Sequence, residues 1–363
     1  MSLLTRMAIS LPAPTGSVAD TIAMAQQAEK LGYTDVWLAD AGGLDALTLA
    51  PMVLEKTTAL RVGIAVVPAY TRTPAVLAST IAVINQAYPG RFIPGLGTSS
   101  HAIIEGWHGL QLVKPLTRMV ETVGLLRNML AGDKTAFAGE TVASHGYRQA
   151  PTEPAVPIYM AALRPKMLEA AAEHGDGVIL NLFPRAALPR IMVHITAGAE
   201  RAGKDPADIE VVCRHMVVVT DDRDAGRQAF RNTFVGYYAT PVYNKFLEWA
   251  GYPEAAAEIR AGWAAKDRER TAAALPDELV DEIGIIGNAE DCQDLMRDYI
   301  AGGIHTNIVS CLIPTPDVLA ATIGAFSGKK ISMPPHIPPP MAAGSSPYNL
   351  VKNLGTVTST RAS

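Results

Sequence analysis

Three cysteines in 363 residues (Cys213, Cys292, Cys311) are too few, too scattered and odd in number for a disulfide scaffold. They fit a reducing compartment, and a cytoplasmic location is expected. Charge is also sparse: 18% of residues are charged and the net charge is -4, so no strong field invites nucleic acid. No apolar run is long enough to span a membrane. The opening MSLLTRMAISLPAP is broken by Arg6 and stopped by Pro12, and it lacks a signal-peptide pattern. No HExxH, paired CxxC or close cluster of ligating side chains predicts a metal site. The Gly-x-Ser-x-Gly elbow and the GxxxxGK[ST] phosphate loop are missing as well. A chain without an evident nucleophile or metal suits chemistry carried by an organic cofactor.

What the chain does have is apolar bulk, 48% hydrophobic, in alternating short runs. Arg6–Leu11, Thr34–Ala39, Arg61–Val67, Arg91–Leu96, Pro157–Ala161, Gly177–Leu180, Ile209–Thr220 and Gly303–Leu312 read as strands. Helical patterns lie between them, at Ser17–Leu31, Asp45–Thr58, Pro74–Ala87, Leu116–Leu130, Ala187–Ala202, Asn288–Ala301 and Thr315–Phe326. Pro51 predicts a kink or a helix start within the second of these. Eight strands alternating with helices predict a (β/α)8 TIM barrel in one domain over residues 1–330, with a doubly wound sheet as the rival. Lys134–Pro154 reads as a hairpin excursion.

Between strands seven and eight an insertion of about 222–282 holds nine of the 22 aromatic residues, from Phe230 to Trp263. Such helices need aromatics for their own packing; they can also cap the barrel mouth with an apolar wall. The segment 331–363, with MPPHIPPP at Met333–Pro340, reads as an extended or disordered tail.

The candidate site follows from the strand ends, which converge on one mouth in a parallel barrel. Gly95-Leu-Gly97-Thr98-Ser99-Ser100 is a truncated dinucleotide fingerprint, with Ser100 where the last glycine belongs. It serves equally as a tight turn or as donors approaching a ligand. Ala161-Ala162-Leu163-Arg164 enters a helix whose N-terminus favours an anion, and Arg164 adds a cation; an ordinary loop with a solvated arginine is the plainer reading. Asp40 ends strand two, either as a site carboxylate or as a helix cap. Tyr70 and Arg72 follow strand three and can reach the same mouth as substrate contacts, though Arg72 also reads as a surface arginine. His101 is the candidate proton donor or acceptor, against the plainer role of a loop hydrogen-bonder. In Gly106-Trp107-His108-Gly109, Trp107 is a candidate substrate contact and His108 a loop-fixing residue.

The runs GYTDVWLAD, TTALRVGIAVVPAYTRTPAVLAS, YPGRFIPGLGTSS, GWHGLQLVKPLTRMVETVGLLRNMLAG, VPIYMAALRPKMLEAAAEHGDGVILN and IIGNAEDCQDLMRDYIAGGIHTNIV resemble, in that order, the luciferase-like monooxygenase superfamily. The arrangement is most similar to its branch using the deazaflavin F420. The resemblance implies F420, or alternatively FMN, across the barrel mouth, a small organic substrate and a homodimer formed through the helices after strands two and three. It implies that Asp40 lies near the ring and takes part in catalysis. It also implies a non-prolyl cis peptide behind the ring at Ile64–Ala65 or Ala65–Val66. Thr98 and Ser99 match the strand-four loop, Ala161 to Arg164 the phosphate loop, and Asn181 with Leu182 the end of strand six. The related sugar-phosphate dehydrogenases carry His and an acid where this chain has Ala41 and Ser100. That departure disfavours sugar-phosphate oxidation and favours reduction of an unsaturated acceptor. The readings held beside it are an FMN-dependent monooxygenase and a non-catalytic cofactor-binding protein.

Overall fold

The computed structural model describes residues 3–327. The Pro-rich tail expected over 331–363 lies outside them. Eight parallel strand positions close into a barrel. Strand one (Arg6–Leu11) pairs with strand two (Asp35–Leu38), and strand two with Arg61–Ile64, the first part of strand three. Strand four also has two parts, Phe92–Ile93 and Gly95–Gly97. The first pairs with Arg61–Ile64; the second pairs with Val67–Pro68, the second part of strand three. Strands five (Tyr159–Ala161), six (Gly177–Asn181), seven (Glu210–Val219) and eight (Thr306–Cys311) follow in order, and strand eight returns to strand one through Arg6↔Thr306. The doubly wound alternative is excluded by that last pairing, since an open sheet leaves its two edges apart.

Side chains facing the barrel axis form layers, because alternate residues of a strand share a face. The middle layer is apolar: Ala8, Trp37, Ile93, Tyr159, Ile179, Val212 and Ile308 pack together. Trp37 fills the space beside strand three because Gly63 has no side chain; a Cβ there would lie 2.4 Å from the indole. Below is a polar floor of Arg6, Asp35, Arg61, Glu210 and Thr306, joined by the Tyr159 hydroxyl. Two residues above the middle layer, the strands bring small or polar residues to the mouth: Ser10, Ala39, Ala65, Ala161, Asn181, Arg214 and Ser310.

Two strands read as continuous are split. Strand three breaks at a cis peptide between Ala65 and Val66, which decides between the two expected positions. Strand four breaks at Pro94, whose missing N–H cannot serve a ladder. The helix after strand two runs unbroken from Ala46 to Glu55 through Pro51, so Pro51 does not start it. Its cap is Asp45, which accepts from the Thr48 N–H at 2.8 Å, and not Asp40. The expected hairpin is present as Ala136–Ala138 with Ala143–His145.

The insertion folds into five helices, Arg223–Tyr238, Pro241–Ala250, Pro253–Ala264, Arg268–Ala273 and Asp277–Ile283. A short unforeseen strand, Ile285–Gly287, then pairs in parallel with the outer end of strand seven. Phe230, Phe234, Tyr238 and Leu247 make a second core with Leu182, Met216 and Val218 from the ends of strands six and seven. The Tyr238 hydroxyl donates to the Leu182 carbonyl at 3.0 Å. The aromatics thus pack their own helices and fasten that bundle to one side of the mouth.

Candidate active site

The mouth is built by the loops that leave the strands. On strand three, Ala65 and Val66 both pack against the interior layer, although neighbours on a regular strand face opposite ways. They form an apolar shelf. Strand four passes close beside it: a Cβ on Gly97 would lie 2.3 Å from Val66 Cγ2 and 3.4 Å from Ala161 Cβ. Glycine at 97 is required by the approach of these two side chains.

Beyond Gly97, Thr98 and Ser99 are half-buried, and Ser99 takes a left-handed φ of 60°, uncommon for a residue with a side chain. Ser100 accepts from the Ile104 N–H at 2.8 Å through its carbonyl and starts a π-helical turn, Ala102–Trp107, that replaces the expected loop. His101 stands at the start of this turn with its side chain 57% exposed, and its Nδ1 lies 3.2 Å from Glu105 Oε1. The Leu112 N–H and His101 hold the Glu105 carboxyl below the usual range.

Asp40 and Arg72 are brought together: Arg72 Nη1 donates to Asp40 Oδ2 at 2.7 Å, and its Nη2 pairs with Asp45. One guanidinium therefore ties the loop after strand three to the loop after strand two. Trp107 reaches the same loops, and a Cβ on Gly42 would lie 3.1 Å from its ring. Tyr70 is turned differently. Its hydroxyl donates to the Val113 carbonyl at 2.6 Å, and Arg118 lies over its ring at 5.1 Å. Tyr70 thereby fastens the long loop that carries Trp107.

On the far side of strand four, Ala161-Ala162-Leu163-Arg164 leads into the helix Pro165–His174, whose first turn has no side-chain cap. Arg164 is exposed there. Uncapped N–H groups and a free cation make an anion-binding end. At the end of strand six, Asn181 Oδ1 is buried with no hydrogen-bond partner, and Leu182 has a left-handed φ of 53°. A buried orphan acceptor is uncommon in a folded chain and marks a place for a donor.

Three residues of this mouth were not singled out from the sequence: Ser10, Arg214 and Ser310. Arg214 Nη2 donates to Ser310 Oγ at 2.9 Å. The signal was present in strand seven, where Glu210, Val212, Arg214, Met216 and Val218 share a face and the two charged residues interrupt an apolar row. Among the described residues no group of three or more His, Cys, Asp or Glu could hold a metal ion.

A family model described as luciferase-like monooxygenase matches residues 1–306. The chain belongs to the luciferase-like monooxygenase family. Within this luciferase-like set, a 5,10-methylenetetrahydromethanopterin reductase of Methanolobus tindarius is 30% identical over 301 residues, covering 82% of this chain and 91% of that protein. A putative coenzyme F420-dependent oxidoreductase of Mycobacterium tuberculosis is 28% identical, covering 78% of this chain and 88% of that one. Among solved structures, the coenzyme F420-dependent tetrahydromethanopterin reductase of Methanopyrus kandleri superposes with a TM-score of 0.74 at 21% identity, over 89% of this chain and 98% of that chain. At that identity the superposition speaks for the barrel alone. The luciferase-like family is one of enzymes, and no helix among the described residues is long and apolar enough to cross a membrane.

Proposed function

We propose that this protein is an F420-dependent oxidoreductase that passes hydride to a small unsaturated organic acceptor. The observation that carries the reading is the conjunction of an apolar two-residue shelf at Ala65–Val66 with an uncapped helix N-terminus at Arg164 on the neighbouring arc of the barrel. A planar ring with an anionic tail needs both. The residues fit such a group. Small side chains at Ser10, Ala39 and Ala161 leave room over the apolar layer, and the orphan Asn181 Oδ1 can accept from a ring N–H. Gly97, Thr98, Ser99 and Leu182 would border the ring, and Ala162, Leu163 and Arg164 would hold its phosphate. The similarity to a putative oxidoreductase named for F420 supports the same choice.

When bound, F420 supplies a two-electron hydride couple. The chain's own part is positioning and exclusion of water. Asp40, held by Arg72, and Trp107 would border the acceptor from the strand-two side. Hydride addition to an unsaturated carbon leaves one proton to be supplied. His101, with Nδ1 on Glu105, offers Nε2 for that transfer. The reading extends to a homodimer, because Met52, Val76 and Val83 are 44%, 51% and 67% exposed on the helices that follow strands two and three.

Equilibrium binding of F420 and FMN, measured side by side, tests the cofactor. We expect F420 to bind and FMN to bind weakly; binding of FMN alone would replace this reading with a monooxygenase. Stopped-flow oxidation of the bound reduced cofactor by enones, quinones and imines then tests the chemistry. Binding without turnover across the whole panel would leave a cofactor-binding protein.

A further inference from the structure

A cationic side chain stands at the mouth without a carboxylate. Arg214 leaves strand seven beside Asn181 of strand six, its register partner, and close to Ser310 of strand eight. Its Nε–H is buried with no hydrogen-bond partner, although part of the residue remains open to the mouth. Among the described residues its electrostatic neighbours are Tyr237 and Tyr243 of the insertion, not an acid. Every other arginine treated above has an acid, a carbonyl or open solvent. Burial lowers the pKa of this guanidinium by more than Tyr237 and Tyr243 raise it, the sign of a charge desolvated with incomplete compensation.

The guanidinium borders a cavity of about 260 Å³ across the ends of strands one, two, seven and eight, with Ser10, Pro12, Ala39, Ser310 and Leu312 among its walls. In barrel order this arc lies opposite strands three to five, which hold the proposed shelf and phosphate loop. We propose that Arg214 receives the carboxylate of the organic substrate in this cavity, so that the acceptor is a small unsaturated acid. This rests on the hydride-transfer reading for the chemistry, but not for the binding. An arginine fork matches a carboxylate and leaves its orphan N–H satisfied. A phosphate dianion would call for a second cation, and among the described residues Arg214 is the one cation lining this cavity. Ser310 holds one edge of the fork, and the insertion's tyrosines supply hydroxyl groups beside it.

The test compares acids with their uncharged counterparts. Binding of crotonate, benzoate and cinnamate, and of their methyl esters, is measured by calorimetry on the cofactor-free protein and again with F420 bound. We expect at least one acid to bind about tenfold or more tighter than its ester, as a charge-assisted fork predicts. The preference should vanish in Arg214→Met and persist in part in Arg214→Lys. F420 affinity should change less than about twofold in either variant, and Arg214→Met should melt no lower than the parent, because a buried cation without an acidic partner is replaced by an apolar side chain of similar length. The proposal is overturned if no acid outbinds its ester. It is also overturned if Arg214→Met weakens F420 while leaving the acid preference intact, which would give the guanidinium to the cofactor. A lower melting temperature with unchanged preference would make Arg214 structural. Failure of F420 to bind at all would remove the hydride reading while leaving the acid preference measurable on the cofactor-free protein.

Discussion

Arg164 and His101 follow adjacent strands, five and four, and are assigned different duties, so they can be separated by one pair of variants. Arg164 is exposed beside an uncapped helix N-terminus and has no proposed part in proton transfer. Arg164→Ala should raise the F420 dissociation constant by about five- to tenfold, the value of a partly screened charge contact, with little change in turnover at saturation. His101→Ala should do the reverse. Cofactor affinity should hold while kcat falls by about two orders of magnitude, the usual range for a lost proton-transfer group. Unchanged kcat in His101→Ala would leave it as the partner of Glu105 and nothing more. Most of these residues were legible in the sequence because strand ends announce themselves by a change from apolar to small and polar residues. Arg214 was passed over because it lies inside an apolar strand, where the two charges on one face are the signal and not the strand's end. The Asp40–Arg72 pair was also hidden: both residues were singled out, but their contact depends on how two loops fold toward each other.

The strands show how much local pattern determines and where tertiary packing overrides it. All eight appear within a few residues of where apolar runs place them, because both faces of each are covered and the runs are bounded by glycine, proline or polar turns. The π-helical turn at Ala102–Trp107 and the strand Ile285–Gly287 were not legible. Each is short, and each depends on a partner distant in sequence or on loop closure rather than on periodicity. The break in strand three is invisible to periodicity, since Arg61–Val67 is an uninterrupted apolar run, and was expected only through the family resemblance. Its consequence is testable through the strand beside it. Gly97→Ala puts a methyl group 2.3 Å from Val66 Cγ2, and a β-branched side chain yields little at χ1. We expect far-UV circular dichroism to remain that of the parent while F420 affinity falls about tenfold or more, as the shelf is pushed out of place. Parent-like affinity would mean that Val66 does not back the ring.

For the barrel as a whole, the decisive polar contacts lie at the end opposite the site. Arg61 Nε and Nη2 donate to Asp35 at 3.0 and 2.6 Å, and its Nη1 and Nη2 donate to Glu210 at 3.1 and 2.8 Å. The Tyr159 hydroxyl donates to Glu210 Oε2 at 2.6 Å, Thr306 donates to Oε1, and Arg6 reaches Asp35 at 3.3 Å. Strands one, two, three, five, seven and eight are thus joined through one buried cluster. Burial alone would raise the Glu210 pKa, but Arg61, Thr306 and Tyr159 outweigh it and bring it down to about 2 from 4.5. A second buried group behaves alike for another reason. His215, between Cys213 Sγ and Asn307 Oδ1, is pushed by burial down to about 4 from 6.5, against a smaller opposing effect of the Asn307 hydrogen bond. For both, the unfolded chain binds the proton more readily than the folded one, so stability rises with pH across the interval between the two values. The His215 contribution is complete above about pH 6.5 and is lost toward pH 4; that of Glu210 is complete above about pH 4.5 and is lost toward pH 2. Each interval corresponds to about 3 kcal/mol. Urea unfolding over a pH series should therefore show two successive losses of stability on acidification. His215→Gln should flatten the upper one, and Glu210→Gln the lower, the latter variant being less stable at neutral pH because Arg61 loses one of its two carboxylate partners and keeps only Asp35. If the lower loss persists undiminished in Glu210→Gln, the floor cluster does not govern acid unfolding, and the barrel is held closed by its apolar middle layer alone.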